Sequence, residues 1–432
     1  MDADILFLAI GAIIFMGFIS NYLFRRFKAP DVLILMFLGI ILGPGGIGLI
    51  GSEAAEGLEA FTPYVAAAAL AIIMFQAGMD LAIGDVVKSF SKSLIQTIIA
   101  FLASMLITAL ICLGLTDWNL ETCLLLGSIV GGTSGAIVIP IISGLRISTN
   151  LKMVLTLESA ITDVLVIVVA TSLIVFMSQD TADIMGAVEL LVSSFMVSTM
   201  IGIIAGVLWT RLLQRLSGQP FSYMITIAAM LMVYSITDIL VEKAGGGAIA
   251  VLVFGLTLGN WEEISRVLRQ KGEQFALGEK VKRFHDEISF LIRTVFFVYL
   301  GLVITTIHFT AWYVLLGLIV FFGLLIARYI SLLLANRYIG LDASDEMGLF
   351  YMMPRGLAAA VMASIPFSYP LVFSNEVATA ILGVTVVVVL LSTVLASLGA
   401  FYMELHAKRN GLNGEGERET SENGSEGGED DL

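Results

Sequence analysis

Charged side chains are scarce in this chain. They make up 14% of its 432 residues, while 58% are hydrophobic. A soluble domain carries about 25% charged residues. Mean hydropathy is +0.96. A chain this poor in polar surface belongs mostly in lipid. Cysteine is nearly missing too. Cys112 and Cys123 fall in or beside apolar runs and form neither a CxxC nor a zinc pattern, so they read as small apolar residues in packed or lipid-facing helices. Only three histidines are present, too few for a proton relay. The sequence has no phosphate-binding loop, metal cluster or nucleophile triad. Those absences exclude ATP-driven work within the chain and give no reason to expect a cofactor or a nucleic acid partner.

The net charge of -13 misleads, because eight of the acids lie in Gly411–Leu432, where Arg418 is the one basic residue. That Gly/Glu/Ser-rich stretch cannot bury enough apolar area to fold. Residues 406–432 therefore read as a disordered, solvated tail. The beginning of the chain turns apolar almost at once, without a basic segment or a small-residue cleavage site. It reads as a span rather than a cleaved signal.

A span needs about 20 mostly apolar residues. Thirteen such runs are present: Ile5–Leu23, Val32–Ile50, Pro63–Met79, Ser93–Leu115, Glu121–Ser143, Lys152–Met177, Ala187–Leu213, Phe221–Val241, Gly245–Gly259, Glu287–Thr306, Ala311–Asn336, Glu346–Ile365 and Val377–Met403. Lys and Arg gather in alternate loops, such as Arg25, Arg26 and Lys28 after the first run and Arg266, Arg269 and Lys271 after the ninth. The other loops hold Lys243 and acids such as Glu53, Glu56, Asp180 and Asp183. The positive-inside rule then predicts a multi-pass plasma-membrane protein with an external N-terminus and a cytoplasmic C-terminus.

Charges at depth are the informative residues, since each costs about 2.5–3.5 kcal/mol at a helix centre on insertion scales. The candidates are Glu158 and Asp163 in run 6, Asp238 in run 8, Arg293 in run 10 and Arg355 in run 12. Ser159 and Asp163 are four apart and share a helix face. With Thr162 they make an oxygen-rich patch suited to a hard cation. Glu158 has a plainer reading, as a carboxylate neutralised by Arg355 or Arg293. Asp238, near the end of its run, reads as structural or mouth-lining. His285, at the mouth of run 10, is a candidate pH sensor.

Two runs are interrupted. Run 5 carries Gly131-Gly132-Thr133-Ser134-Gly135 and run 12 carries Met353-Pro354-Arg355-Gly356. Irregular backbone survives at membrane depth only when buried in protein or lining a cavity. Two broken segments in corresponding positions point to a transporter site. Runs 5 and 12 are seven apart and so oppositely directed. That fits an inverted repeat of runs 1–6 on 8–13, with run 7 as connector. The plainer alternative is helix packing through small residues.

These residues resemble the monovalent cation/proton antiporters, in particular the NhaP-type sodium/proton antiporters of archaea and bacteria. The resemblance rests on Phe75-Gln76-Ala77-Gly78-Met79-Asp80, the break in run 5, Glu158-Ser159 with Thr162-Asp163, Phe296-Phe297-Val298-Tyr299-Leu300-Gly301, and Arg355-Gly356. It implies an all-α polytopic NhaA/NhaP-like antiporter fold over residues 1–405 and a homodimer. Runs 1–3 and 8–10 would form the dimerisation domain, and runs 4–6 and 11–13 a transport bundle. It makes Asp163 the carboxylate that binds proton or cation, with Ser159, Thr133, Ser134 and Thr162 supplying neutral oxygens, and Glu158–Arg355 a structural ion pair. Gln76, Arg293 and Asp238 are possible accessory residues.

Three departures matter. The family's Asn-Asp is Thr162-Asp163 here, its Thr-Asp-Pro is Thr133-Ser134-Gly135, and a common glutamate near the end of run 3 is Gln76. Fewer charges at the site leave the choice between Na+ and K+ (or Li+) open. Electroneutral exchange of one Na+ for one H+ is the expectation, with a K+/H+ antiporter or potassium efflux system as the alternative. An intramembrane aspartyl protease would need a Gly-x-Gly-Asp setting that neither Asp163 nor Asp238 has.

Overall fold

The computed structural model describes residues 11–20, 22, 31–48, 50–51, 62–81, 83–143, 145, 147–178, 184–216, 222–241, 246–267, 279–306, 310–339 and 343–409. The described residues are helical or in turns, with no strand among them. The helices are α1 (Gly11–Ser20), α2 (Asp31–Leu42), α3 (Thr62–Asp80), α4 (Ile83–Leu115), α5 (Leu120–Ile129), α6 (Gly135–Ser143), α7 (Thr149–Ser178) and α8 (Ile184–Arg215). They continue as α9 (Ser222–Leu240), α10 (Gly246–Gly259), the short α11 (Trp261–Val267), α12 (Glu279–Thr306), α13 (Ala311–Ile339), α14 (Ala343–Tyr351), α15 (Leu357–Ser364) and α16 (Asn375–Arg409).

Every apolar run contains helix. Runs 5 and 12 are each two helices with a non-helical break. Six of the described helices are long and apolar enough to cross a membrane. The outer faces of α4 (Leu106, Leu110), α8 (Ile204, Leu208) and α13 (Phe322, Ile326) expose large aliphatic and aromatic side chains. Apolar surface on that scale marks a membrane-facing exterior. α16 stays helical to Arg409, past the boundary at 405. The acidic tail from residue 410 lies outside the described residues. So do Arg25, Arg26, Lys28, Glu53, Glu56, Asp180, Asp183, Lys243, Arg269 and Lys271 of the charge-alternation argument.

The helices gather into two packed groups. In one, α3, α8 and α9 pack on α10, and α12 packs on α2 and α3. Small residues bring these backbones together. A side chain on Gly78 would run into the carbonyl of Leu252, and one on Gly301 into that of Met36. In the other group, α4 packs on α5, α7 and α13, while α15 and α16 close over the broken segments. The groups meet where α15 and the following turn lie against α3.

The broken helices are short because their backbone cannot continue. α5 has ten residues and is capped at its start by Asn119 Oδ1, which accepts the Thr122 N–H at 3.0 Å. It is about 15 Å long, half of a ~30 Å hydrocarbon core. It ends at Ile129, just before Gly131-Gly132, two residues of poor helix propensity. α14 ends just before Pro354, which has no N–H to offer an earlier carbonyl. Helix resumes only at Leu357.

Candidate functional site

The two breaks touch. The Ser134 N–H donates to the Pro354 carbonyl at 2.8 Å. A Cβ added to Gly356 would strike the Ser134 side chain. Thr133, Ser134, Arg355 and Gly356 are all buried. The crossing therefore sits in protein, where irregular backbone can be satisfied.

α7 supplies the polar face beside it. Thr162 is the tie between α7 and the first break. Its hydroxyl accepts the Thr133 N–H at 3.0 Å and lies 3.1 Å from the Thr133 hydroxyl. It is also 3.1 Å from the Thr133 carbonyl and 3.3 Å from that of Ser159. Ser159 is fully buried, and its hydroxyl donates to the Thr156 carbonyl at 3.0 Å. Asp163 Oδ2 accepts the Gly135 N–H, the opening residue of α6, at 3.3 Å. A Cβ placed on Gly135 would lie 3.4 Å from Ser159 Oγ and 3.6 Å from Asp163 Oδ2. The hydroxyl and the carboxylate thus flank one small open position at the start of a helix, where partial positive charge favours an anion.

Asp163 faces a cavity of about 650 Å³. Its lining includes Gln76 and Asp80 from α3, Gly135 and Pro140 from α6, Lys152 and Thr156 from α7, and Asp286, Ser289 and Arg293 from α12. The cavity thus lies between the two packed groups. Among the described residues no lysine, arginine or histidine lies within ion-pair distance of Asp163.

Glu158 has the opposite fate, and here the sequence expectation is corrected. Its partner is Arg328 on α13, not Arg355. The guanidinium grips the carboxylate through both nitrogens, with Nη2 3.1 Å from Oε2. Arg328 Nε and Nη2 also donate to the Leu349 carbonyl at 2.9 and 2.7 Å, at the end of α14. Arg355 instead donates Nη1 to the Gly131 carbonyl at 3.1 Å and lies 3.5 Å from Ser104 Oγ. Both arginines therefore serve helix C-termini, where unsatisfied carbonyls carry partial negative charge. Arg328 does so for α14 and Arg355 for α5. Arg328 was missed in the sequence, although a lone arginine in Leu-Leu-Ile-Ala-Arg-Tyr-Ile-Ser was signal enough.

The accessory candidates divide. Arg293 and Gln76 line the same cavity as Asp163. Asp238 does not. It sits on α9 beside α10, where a Cβ on Gly247 would lie 3.2 Å from its own Cβ. His285 is buried, with its ring edge-on to Phe75 at 5.0 Å. The cysteines are buried and unbridged.

An all-helical membrane chain whose two broken segments cross beside a half-buried carboxylate has the architecture of a secondary transporter. Residues 10–398 match the family model described as "Sodium/hydrogen exchanger, transmembrane", and the chain belongs to that family. Its fold is similar to that of the sodium proton antiporter MjNhaP1 from Methanocaldococcus jannaschii, solved at pH 8. The TM-score is 0.74 at 21% identity, over 92% of this chain and 100% of that one. The chain is 25% identical over 373 residues to the "Probable Na(+)/H(+) antiporter 2" of the same organism, covering 84% of this chain and 85% of that one. It is 23% identical over 374 residues to the "K(+)/H(+) antiporter NhaP" of Alkalimonas amylolytica, covering 83% of this chain but 60% of that longer relative.

Proposed function

We propose that this protein exchanges a monovalent cation, Na+, for H+ across the membrane, with Asp163 binding one or the other in turn. The carrying observation is the contrast between two carboxylates five residues apart on α7. Glu158 is neutralised by Arg328, whereas Asp163 has a helix N-terminus, a cavity and no cationic partner among the described residues. A bare carboxylate in a low-dielectric site is costly, so it holds a proton or a metal ion. A loaded site is close to neutral and crosses cheaply; an empty one does not. That difference couples the two fluxes.

Ser159, Thr133, Ser134 and Thr162 are the neutral oxygens around the cation. The group containing α4–α7 and α13–α16 moves, elevator-like, against the group containing α2, α3, α10 and α12. The latter forms the dimer contact with a second copy in the plasma membrane. With one unpaired carboxylate at the crossing, one cation exchanges for one proton and no net charge moves.

In proteoliposomes carrying an imposed pH gradient, Na+ addition should dissipate the gradient, and a voltage clamp by ionophore should leave the rate unchanged. Asp163→Asn should abolish exchange, and persistence of exchange in that variant defeats the reading. K+/H+ exchange is the second reading. It is supported by the relative named a K(+)/H(+) antiporter and by Ser134 standing where the wider family carries an aspartate. Na+, K+ and Li+ compared in the same vesicles decide between them.

A further inference from the structure

The cavity reaches Asp163 from one side. On α7 its lining runs from Thr149 to Asp163 and no further. Thr149 opens that helix and lies about 21 Å of helix away from Asp163. The Lys and Arg pattern of the loops makes that end cytoplasmic. The opposite wall is built by α3 and α12, from Ile73 to Leu81 and from Asp286 to Arg293. Those two helices are tied together there, because Gln76 Nε2 donates to Asp286 Oδ1 at 2.6 Å.

Beyond Asp163 the two packed groups meet. Leu357, which opens α15, is the last of the lining. The rest of α15 and the 3-10 turn Ile365–Ser368 continue away from the cavity against α3. Each residue of α15 is at most 5% exposed. Its one polar side chain, Ser364, donates its hydroxyl to the Val361 carbonyl at 2.7 Å. About 12 Å of buried helix with so little polarity is a barrier to an ion.

A second contact stands farther out. Val175 on α7 and Val241 after α9 form a buried apolar pair of their own, 9% and 7% exposed and separate from the main core. Val175 lies about 18 Å along α7 from Asp163, on the side away from the cavity. Val241 extends the last turn of α9, its N–H donating to the Thr237 carbonyl at 3.0 Å. Its side chain also fills the space that a Cβ on Gly246 of α10 would need. Val241 is therefore fixed to the α9–α10 group, whereas Val175 rides on the helix that carries Asp163.

We propose that Val175 and Val241 form the rim of an outer gate, touching while the cavity is open to the cytoplasm and parting when the bundle carries Asp163 outward. The proposal rests on the exchange reading for its cycle. Contacts bedded on glycine, such as Gly78 on Leu252 and Gly255 on Phe75, lie within one group and hold it together. The valine pair lies between groups and belongs to no larger core. Parting it costs few dispersion contacts, as a contact made and broken in every cycle requires.

The test is a reversible cross-link in full-length protein carrying Val175→Cys and Val241→Cys, with Cys112→Ala and Cys123→Ala so that no other thiol reacts. A short bifunctional methanethiosulfonate should join the two positions. Exchange in proteoliposomes should then fall at least about tenfold, because the gate is held shut, and return on reduction. Either cysteine alone, treated in the same way, should leave exchange intact. 22Na+ binding to the joined protein should be retained, since the cavity stays open on its inner side. Failure to join, exchange at the unjoined rate after joining, or loss of Na+ binding along with exchange each overturns the proposal.

Two further measurements need no cross-link. Val241→Ala trims the rim and favours the outward-open form, so the external Na+ concentration for half-maximal exchange should fall about threefold. An unchanged or higher value overturns the gate. A parent that exchanges nothing would defeat the function proposed above. The gate is then read from Val241→Cys, which a membrane-impermeant methanethiosulfonate added outside should modify at least about fivefold faster than the buried Cys112, as an opening contact exposes it. Modification no faster than that of Cys112 overturns the gate whatever the protein transports.

Discussion

Ser134 donates its backbone N–H to the Pro354 carbonyl at 2.8 Å, joining two chain breaks that are 220 residues apart. Neither peptide group has a helical partner, and in lipid each alone would be costly. The bond makes one break the solution to the other. It also requires close approach, and this is where Gly356 matters. Its backbone is extended (φ -145°, ψ -140°) rather than left-handed, so the constraint is space. A Cβ there would meet both Cβ and Oγ of Ser134. Gly356→Ala should destabilise the protein by about 1–3 kcal/mol, as overpacking does, and lower its melting temperature in detergent. Adding Ser134→Gly removes the clashing atoms and should restore much of the loss. A melting temperature indifferent to Gly356→Ala would show that the breaks are not in contact.

The Glu158–Arg328 pair makes a sharper claim. Both side chains are almost fully buried, 1% and 3% exposed. Removing one partner of a buried pair costs about 3–5 kcal/mol, because the other charge is stranded. Glu158→Gln and Arg328→Met should each be strongly destabilising. The double variant should be less so than their sum, although the carbonyls that Arg328 serves at Leu349 would still be lost. Glu158 with Arg355→Met should show no comparable coupling. A double-mutant cycle on thermal unfolding distinguishes the two arginines. Strong coupling to Arg355 instead would restore the pairing expected from the sequence.

That correction shows what a membrane sequence reveals and hides. Asp163, the two breaks and the helical runs were legible because lipid makes polarity conspicuous. Any acid, glycine pair or proline within twenty apolar residues stands out against its neighbours. Partners are another matter. Glu158 and Arg328 are 170 residues apart, Gln76 and Asp286 are 210 apart, and no local period encodes which helices face each other. Thr162 was read as a possible ligand from its place beside Asp163. Its hydrogen bonds to Thr133 show that it also pins the broken segment, a role only tertiary packing discloses.

Gly135 offers a way to separate the site from the scaffold. Its nearest prospective neighbours, Ser159 Oγ at 3.4 Å and Asp163 Oδ2 at 3.6 Å, would be at ordinary van der Waals distance from an alanine methyl. Gly135→Ala should therefore fold normally, with a melting temperature within a degree or two of the parent. The methyl would nonetheless occupy the space between the hydroxyl and the carboxylate that the cation is proposed to share. Cation-dependent exchange should fall by at least about tenfold, the equivalent of losing one good ligand. Full activity in a stable Gly135→Ala protein would move the cation away from this position.

Competition for one carboxylate also fixes the sign of the pH dependence. When protons and Na+ exclude each other at Asp163, lowering the pH on the cation-binding side removes free carboxylate, and Na+ must be raised to compensate. The KM for Na+ should climb by about tenfold per pH unit once the proton dominates, by simple mass action. Saturating Na+ should recover the same kcat. A separate pH-operated gate would act differently: it would close a fraction of the molecules and lower kcat without moving KM. Initial exchange rates over a matrix of pH and Na+ concentration in proteoliposomes separate the two. A kcat that collapses at low pH while KM holds steady would mean that proton and cation do not share Asp163, and His285, buried against Phe75, would become the first residue to examine as a switch.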